Sequence, residues 1–425
     1  MLNSNAGTID LGEDAEQKHD LGKVAKAVSE LQQQDIQIAP PLINEADYSF
    51  VPDIENNQIV YSLKNIRGLN SKAANEILEK RPFSSFEDFY ERVYKDPSSE
   101  VKTGQMVSLI KSGAFSNFGE TSEIMQQFIL GEIKPKEQLN GQNLSSIQRL
   151  GLLKDNKYNE LNEYLETRNT VHKQVYKKVS NPKDTLLKVT EEQINTLTKS
   201  VSYDIVNGYS DSGELLISRK ALDKEHKSFM TPYYEEFNTP EFIKEYNIAL
   251  FLEEWVQRTK GGGVERWAMD SLTYYPNKHE LSHVPAHIYN ISDYFEFAED
   301  PEPIGVSKWN GREFPQFEIN TIAGTVIDKN NTKHTITLLT TTGVVTCKLY
   351  GGAYSHYNKE IKVKGKRVES SWFARGTLLL VNGYRRGDQW IVKKAKNQEH
   401  SIQRIVSVSK GGELSLQPER YDDRF

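Results

Sequence analysis

Apolar residues along the chain change their period several times. At Leu21, Val24, Ala25, Val28 and Leu31 they recur every three or four positions, one helix face, and Pro40 and Pro41 then break the pattern, so a helix is predicted within Leu21–Ile38. Gln58–Leu63 (QIVYSL) reads as a short strand. Lys64–Lys80 carries helix, turn and helix signals around Gly68, and Phe86–Tyr94 and Met106–Lys111 are helical in pattern up to Gly113. From Glu120 to Lys260 the chain is charged and helix-rich, with Pro135, Pro182, Pro232 and Pro240 as expected joints. Past Phe317 the period falls to two. INTIAGTVI, HTITLLT, GVVTCKLY, TLLLVNGY and QWIVKKA read as five short strands with turn signals between them, which predicts a small β-barrel. Residues 1–18 are polar, without a period, and are expected to be disordered. The fold class that follows is multidomain α+β.

Composition narrows the function. No apolar run approaches the roughly 20 residues that span a bilayer, and the polar, acidic N-terminus has no signal-peptide core, so no membrane and a cytoplasmic location are expected. The single cysteine, Cys347, excludes an internal disulfide and a multi-cysteine zinc site, and its place in an apolar strand suggests a buried thiol. The net charge of −6 argues against a nucleic-acid partner until its distribution is considered. Between Asp328 and Glu413 there are 16 Lys or Arg against 6 Asp or Glu, so the barrel region is basic and the rest acidic.

The segment Asn65–Ile77, NIRGLNSKAANEI, combines a glycine with the start of a helix. Gly68 permits a turn of positive φ, and a helix beginning near Ser71 presents unpaired N–H groups and a partial positive charge, which suit a phosphate. The candidate backbone-binding residues are Gly68, Leu69, Asn70 and Lys72, with Ala73, Ala74, Ile77 and Leu78 packing the helix. A glycine turn between two amphipathic helices fits the same residues without any ligand.

Four runs in order make the pattern more specific: IQIAPPLINEADYSFV, IVYSLKNIRGLNSKAANEIL, RPFSSFEDFYERV and LIKSGAFSNFG. They resemble the C-family bacterial replicative polymerases, the DNA polymerase III α subunit of the DnaE type. WAMDSLTYYPNKHEL resembles a segment ahead of that family's OB domain, and the strands from Ile319 to Ala395 sit where its OB fold lies. The likeness touches most of Asp20–Ala395, with Glu120–Lys260 matched by position only. It implies a fingers remnant over 19–59, a tandem helix-hairpin-helix over 60–118, a helical linker region over 119–316, an OB-fold over 317–398 and an extension over 399–425. The family's usual second hairpin glycine is replaced by Asn70, which tolerates left-handed geometry. The family's palm carries paired metal-binding aspartates, yet no Asp-x-Asp occurs in the 425 residues. The resemblance therefore implies the C-terminal portion of a split replicase, as in some phage genomes, gripping duplex and single-stranded DNA in the host cytoplasm. The palm would come from an N-terminal polymerase chain. No cofactor or metal is expected here, and Mg2+ would sit at the partner's palm. An independent single-strand-binding or repair accessory protein is the alternative.

OB barrels hold single strands with a positive groove and stacked aromatic rings. The candidates are Lys348, Tyr350, Lys364, Lys366, Arg367, Tyr384, Arg385, Arg386, Trp390 and Lys393, while Trp372 and Phe373 are expected in the core. The loop Lys329–Lys333 is a second possible grip. Gln126, Gln127, Phe128, Ile129 and Leu130 have the composition of a sliding-clamp-binding peptide, which the resemblance places in this region, although an ordinary amphipathic helix face fits them too. His279–His283 reads HELSH, the zinc-hydrolase pattern, but Pro276 and Pro285 bracket it and argue against the helix that chemistry needs. Gly261–Gly263 lacks the Lys-Ser or Lys-Thr ending of a phosphate loop and reads as a flexible link.

Overall fold

The computed structural model describes Leu2 and residues 21–421 except 33, 178–184, 199–204, 261, 277, 310 and 395–398, so the expectation for 1–18 falls, Leu2 aside, outside the described residues. The chain forms two compact units, one of Met1–Met125 with Gly261–Phe425 and one of Gln126–Lys260.

In the first unit, α1 (Leu21–Gln32) stops short of the predicted Ile38. Asp35 turns the backbone at φ 59°, and β1 (Gln37–Ala39) follows as a strand parallel to β3 (Gln58–Val60), with β2 (Val51–Asp53) antiparallel on the other side of β3. The first helix of the leading hairpin is a single 3-10 turn, Leu63–Asn65, and the second is α2 (Ser71–Lys80), which buries Ala73, Ala74 and Ile77. The next pair is α3 (Phe86–Phe89), continued by a π-helical turn Tyr90–Tyr94, and α4 (Thr103–Lys111). Edge-to-face rings of Phe86 and Phe89 against Phe115, at 5.2 and 5.0 Å, fill the space between them.

The helix α5 (Thr121–Ile133) crosses from the first unit into the second. The second unit contains α6 (Leu144–Arg149), α7 (Asn159–Val171), α8 (Glu191–Thr198), α9 (Arg219–Phe237) and α10 (Pro240–Thr259). They accompany an antiparallel sheet of β4 (Val175–Lys177), β5 (Leu186–Val189), β6 (Val206–Tyr209) and β7 (Leu215–Ser218) in the order β4-β5-β7-β6. A purely helical reading misses this sheet because its strands are only three or four residues long, too short to establish a period. Leu161, Leu165, Leu187, Ile217, Met230 and Phe237 share its core. Pro240 opens α10, but Pro232 lies inside α9 and is not a joint.

Back in the first unit, α11 (Val264–Leu272) packs on α4 and precedes a hairpin of β8 (Gly305–Trp309) and β9 (Arg312–Gln316). The five predicted strands then appear in order: β10 (Asn320–Asn330), β11 (Thr335–Leu339), β12 (Val344–Lys348), β15 (Leu378–Arg386) and β16 (Gln389–Val392). Between β12 and β15 lie α12 (Ala353–Asn358) and a separate hairpin of β13 (Ile361–Val363) and β14 (Lys366–Glu369). The order β10-β11-β12-β16-β15 closes through β10–β15 pairing into an OB-like five-stranded barrel, as the alternation predicts. Trp372 and Phe373 are in its core, as expected, and so is Tyr354. The segment 399–425 carries β17 (Ile402–Val408) and β18 (Leu414–Gln417), which extend the sheet from β15.

Arg420 ties that last segment down. Its fully buried guanidinium donates Nε to Glu369 Oε2 at 3.0 Å, Nη1 to His356 O at 2.7 Å and Nη2 to Lys359 O at 2.8 Å. Glu369 also accepts from Trp372 Nε1 at 3.0 Å and Gln417 Nε2 at 2.6 Å. Removing one partner of such a pair strands a buried charge. Arg420→Met is therefore expected to cost about 3–5 kcal/mol in urea denaturation, and Arg420→Met/Glu369→Leu to recover much of it. Equal losses in the single and double variants would show that the charge pairing is not what holds this segment.

Candidate nucleic-acid interface

The first hairpin is positioned by contacts with α4, with the end of α11 and with Tyr48. Gly68 adopts φ 89°, which calls for glycine, and a Cβ there would sit 3.1 Å from Ser108 Oγ on α4, a tight approach. Arg67 N–H donates to Ser271 O at 2.9 Å, and the Tyr61 hydroxyl donates to Leu272 O at 2.8 Å, fixing the hairpin against the end of α11. The Tyr48 hydroxyl donates to Ser71 Oγ at 3.0 Å, and Lys64 Nζ lies 5.0 Å from the centre of the Tyr48 ring.

Asn70 does not use the left-handed geometry expected of it. Its φ of −88° and ψ of 166° are extended, and its side chain instead caps α2, accepting from Ala73 N at 2.8 Å. One helix-end donor is thereby occupied by the protein itself. Lys72 is exposed on the first turn of α2, whereas Leu69 is buried and its N–H already donates to Ile66 O at 3.0 Å. The second hairpin is lashed to α2 by charge: Lys80 Nζ bridges Glu76 (2.8 Å) and Asp96 (3.0 Å), and Glu76 Oε2 accepts from Glu100 N at 2.8 Å. Hydrogen bonds from Ser98, and then Lys80, hold the Asp96 carboxyl down at about 2.

In the barrel, alternation sorts the candidates. Lys348 and Tyr384 both stand opposite Ile391, on β12, β15 and the β16 between them, so the three share one face, and Arg386 opposite Gln389 lies on that face too. Tyr350 is exposed just beyond β12, with Lys348 Nζ 5.4 Å from its ring centre. Tyr384 stacks on Phe317 at 4.5 Å, an aromatic that the strand pattern overlooked because it precedes β10. Burial is the main reason its phenol is raised, with Arg386 opposing and Tyr350 adding to the shift. Lys348, Tyr350, Tyr384 and Arg386 are thus brought together.

The neighbouring positions point inward and correct two expectations. Trp390, paired with Cys347 and Arg385, is fully buried and donates Nε1 to Val381 O at 3.2 Å, so no ring face is left for a base. Gly383 makes the room, since a Cβ there would meet Trp390 Nε1 at 2.7 Å and run into Ile391 O. Arg385 folds over the Tyr294 ring, 4.6 Å away, and donates to Phe297 O at 2.7 Å and Glu299 Oε1 at 2.8 Å, so its charge is committed internally. Lys364, Lys366 and Arg367 lie on the separate β13–β14 hairpin, exposed, and Lys393 is exposed after β16. In the Lys329–Lys333 loop both lysines are exposed, with Lys329 Nζ on Asn358 Oδ1 at 2.6 Å. Burial pushes the Cys347 thiol up, as befits a core residue.

Gln126–Leu130 fall within α5. Phe128 and Ile129 are fully buried, the Phe128 ring under the Arg258 guanidinium at 5.2 Å, while Gln126, Gln127 and Leu130 are exposed. A docking peptide must offer its large apolar side chains to the partner, and here Phe128 and Ile129 are spent on the fold. HELSH is a turn, not a helix. His279 Nδ1 accepts from Leu281 N at 3.0 Å and Nε2 faces Leu339 O at 3.0 Å, while Glu280 holds Arg266 at 3.0 Å and the Tyr275 hydroxyl at 2.6 Å. Among the described residues, no helix is long and apolar enough to cross a membrane.

Residues 35–124 match the helix-hairpin-helix motif family. The chain is 37% identical over 430 residues to the probable DNA polymerase YorL of Bacillus subtilis, which covers 99% of this chain and 33% of that relative. The DNA-directed DNA polymerase of Bacillus phage SPbeta matches with the same identity and coverage. The DNA polymerase III subunit alpha of Bacillus subtilis is 26% identical over 145 residues, 34% of this chain and 12% of that relative. The chain thus spans about a third of the length of the first two.

The role of His279 shows in the pH dependence of stability. Desolvation lowers its imidazole to about 4, against roughly 6.5 for an unfolded histidine, so its contribution is whole above about 6.5 and declines as pH falls toward 4. The wild type is expected to lose up to about 1.4 kcal/mol per pH unit in that window through this group, and His279→Asn to show a flatter profile in pH-dependent urea melts. Parallel profiles would remove His279 from that role.

Proposed function

Because the chain matches a probable DNA polymerase of Bacillus subtilis and a DNA-directed DNA polymerase of phage SPbeta over nearly all its residues, and a DNA polymerase III subunit alpha over 34% of them, we propose that it holds DNA for a polymerase of that type. The observation that carries this reading is the pairing of a helix-hairpin-helix region with an OB-like barrel whose outer row sets Lys348, Tyr350, Tyr384 and Arg386 side by side. Duplex DNA lies along the first hairpin, its phosphate at the first turn of α2 beside Lys72. Single-stranded template runs across the barrel's outer row, bases on the two tyrosines and phosphates on the cations. Neither surface reads sequence, since phosphate contacts and stacking carry little base information.

Synthesis itself belongs to a separate palm-containing chain that supplies the paired aspartates and their Mg2+, a reading supported by the lack of any Asp-x-Asp within these residues. Primer extension tests it. This chain alone is expected to extend nothing, and a mixture with the palm-containing polymerase chain to associate and synthesise more than that chain alone. Extension by this chain alone, or a mixture without association, sinks the split arrangement.

The two surfaces separate by mutation. Lys72→Ala is expected to weaken duplex binding and reduce its salt slope by about 0.9, leaving single-strand binding unchanged. Tyr384→Ala is expected to cost about 1–3 kcal/mol of single-strand binding and spare the duplex. Fluorescence anisotropy with both DNAs reads this out, and a Tyr384→Ala protein that binds single strands like wild type would remove the outer row from the site.

A further inference from the structure

The last turn of α11 is met by segments from both ends of the first unit. From the hairpin come Arg67 N–H to Ser271 O and the Tyr61 hydroxyl to Leu272 O. From the barrel comes the turn Ala374–Thr377, anchored by Gly376 N–H to Val326 O at 2.7 Å. That turn lies so close to α11 that a Cβ on Gly376 would meet Arg266 Nη2 at 2.9 Å and Asp270 Oδ1 at 3.4 Å. Arg375 is carried on this turn, so two arginines far apart in sequence flank one helix end.

Among the described residues no salt bridge reaches either guanidinium, and Tyr61, Asp328 and Asp270 offset the burial and repulsion at Arg375 only in part. Arg375 Nε and Nη2 are buried without a hydrogen-bond partner among the described residues. Burial first, and then the like charge of Arg67, pull its guanidinium down to about 10, which leaves it charged at neutral pH. The acids nearby are otherwise placed: Asp270 faces Arg266 at 3.8 Å, and Asp328 is exposed on β10. A helix C-terminus welcomes cations through its free carbonyls, but Met269 O, Ser271 O and Leu272 O already accept from Thr273 N, Arg67 N and Tyr61. A desolvated guanidinium with open donors beside a second one is costly alone and suited to an oxyanion, which its planar fork binds through two oxygens.

We infer that Arg67 and Arg375 form one phosphate site, shared by the first hairpin and the barrel, that takes a backbone phosphate of duplex DNA neighbouring the one at α2. The site rests on the hairpin reading above and adds the barrel to the duplex grip. Arg67 is exposed and opens it to solvent, while the partly buried Arg375 forms its floor.

Duplex binding by Arg67→Met, Arg375→Met, their double variant and Lys72→Ala, between about 50 and 200 mM salt, tests this, alongside thermal unfolding without DNA and with inorganic phosphate. Each arginine variant is expected to bind roughly tenfold more weakly, with a salt slope lower by about 0.9, and the double variant to lose less than the two singles together. Without DNA, Arg375→Met is expected to unfold no earlier than wild type. Wild-type duplex binding by Arg375→Met with weakened binding by Lys72→Ala overturns the shared site and leaves the hairpin reading standing. Wild-type binding by all variants overturns both. Early unfolding of Arg375→Met without DNA makes the guanidinium structural and overturns the site. If inorganic phosphate stabilises the wild type but Arg375→Met keeps full duplex affinity, the anion is a small phosphate and the DNA assignment is overturned.

Discussion

Two carbonyls at the end of α11 tie the first hairpin to the rest of the first unit. Ser271 O and Leu272 O receive the Arg67 N–H and the Tyr61 hydroxyl, and these bonds fix a hairpin from residues 61–80 against a helix that begins almost two hundred residues later. The Tyr61 ring stacks on Tyr274 at 5.4 Å just beyond the same helix end, and burial raises both phenols. Through this joint the hairpin and the barrel both meet the same helix end. The wide separation in sequence adds a loop-closure entropy cost to forming the joint, one that grows only slowly with the length of the loop.

The sequence made the elements legible wherever a period ran long enough. Five alternating runs became five barrel strands, and the glycine turn before Ser71 became a hairpin with a helix beginning at that residue. It failed where elements are short: the four-stranded sheet of the second unit is built from runs such as LLKV and LLIS, which a helical neighbourhood hides. The π-turn at Tyr90–Tyr94 and the outward extension by β17 and β18 had no signal in composition either.

Site residues were legible by type and blurred by direction. Tyr384, Arg385 and Arg386 look equivalent in a row of polar side chains, yet a strand sends the middle one to the other face, where Glu299 and the Phe297 carbonyl neutralise it. Trp390 had the chemistry of a stacking platform, but its partners across the sheet, Cys347 and Arg385, put it inside. Phe128 and Ile129 show the same limit in a helix: composition suggests a docking peptide, and only packing reveals that the apolar side chains are taken. Arg375 stayed invisible because what distinguishes it is the set of unpartnered donors around a joint that no local pattern describes.

The fit of the Trp390 indole over Gly383 has a consequence for how the chain finds its register. A shift of β16 by one residue along β15 would bring the indole against a residue with a side chain and turn Ile391 out of the outer row it shares with Lys348 and Tyr384. Basic and aromatic residues populate both faces of this stretch, so hydrophobic sorting alone discriminates weakly between the two pairings. The missing side chain at Gly383 does the discriminating: it is a proofreading notch that accepts one alignment of the barrel and rejects its neighbours.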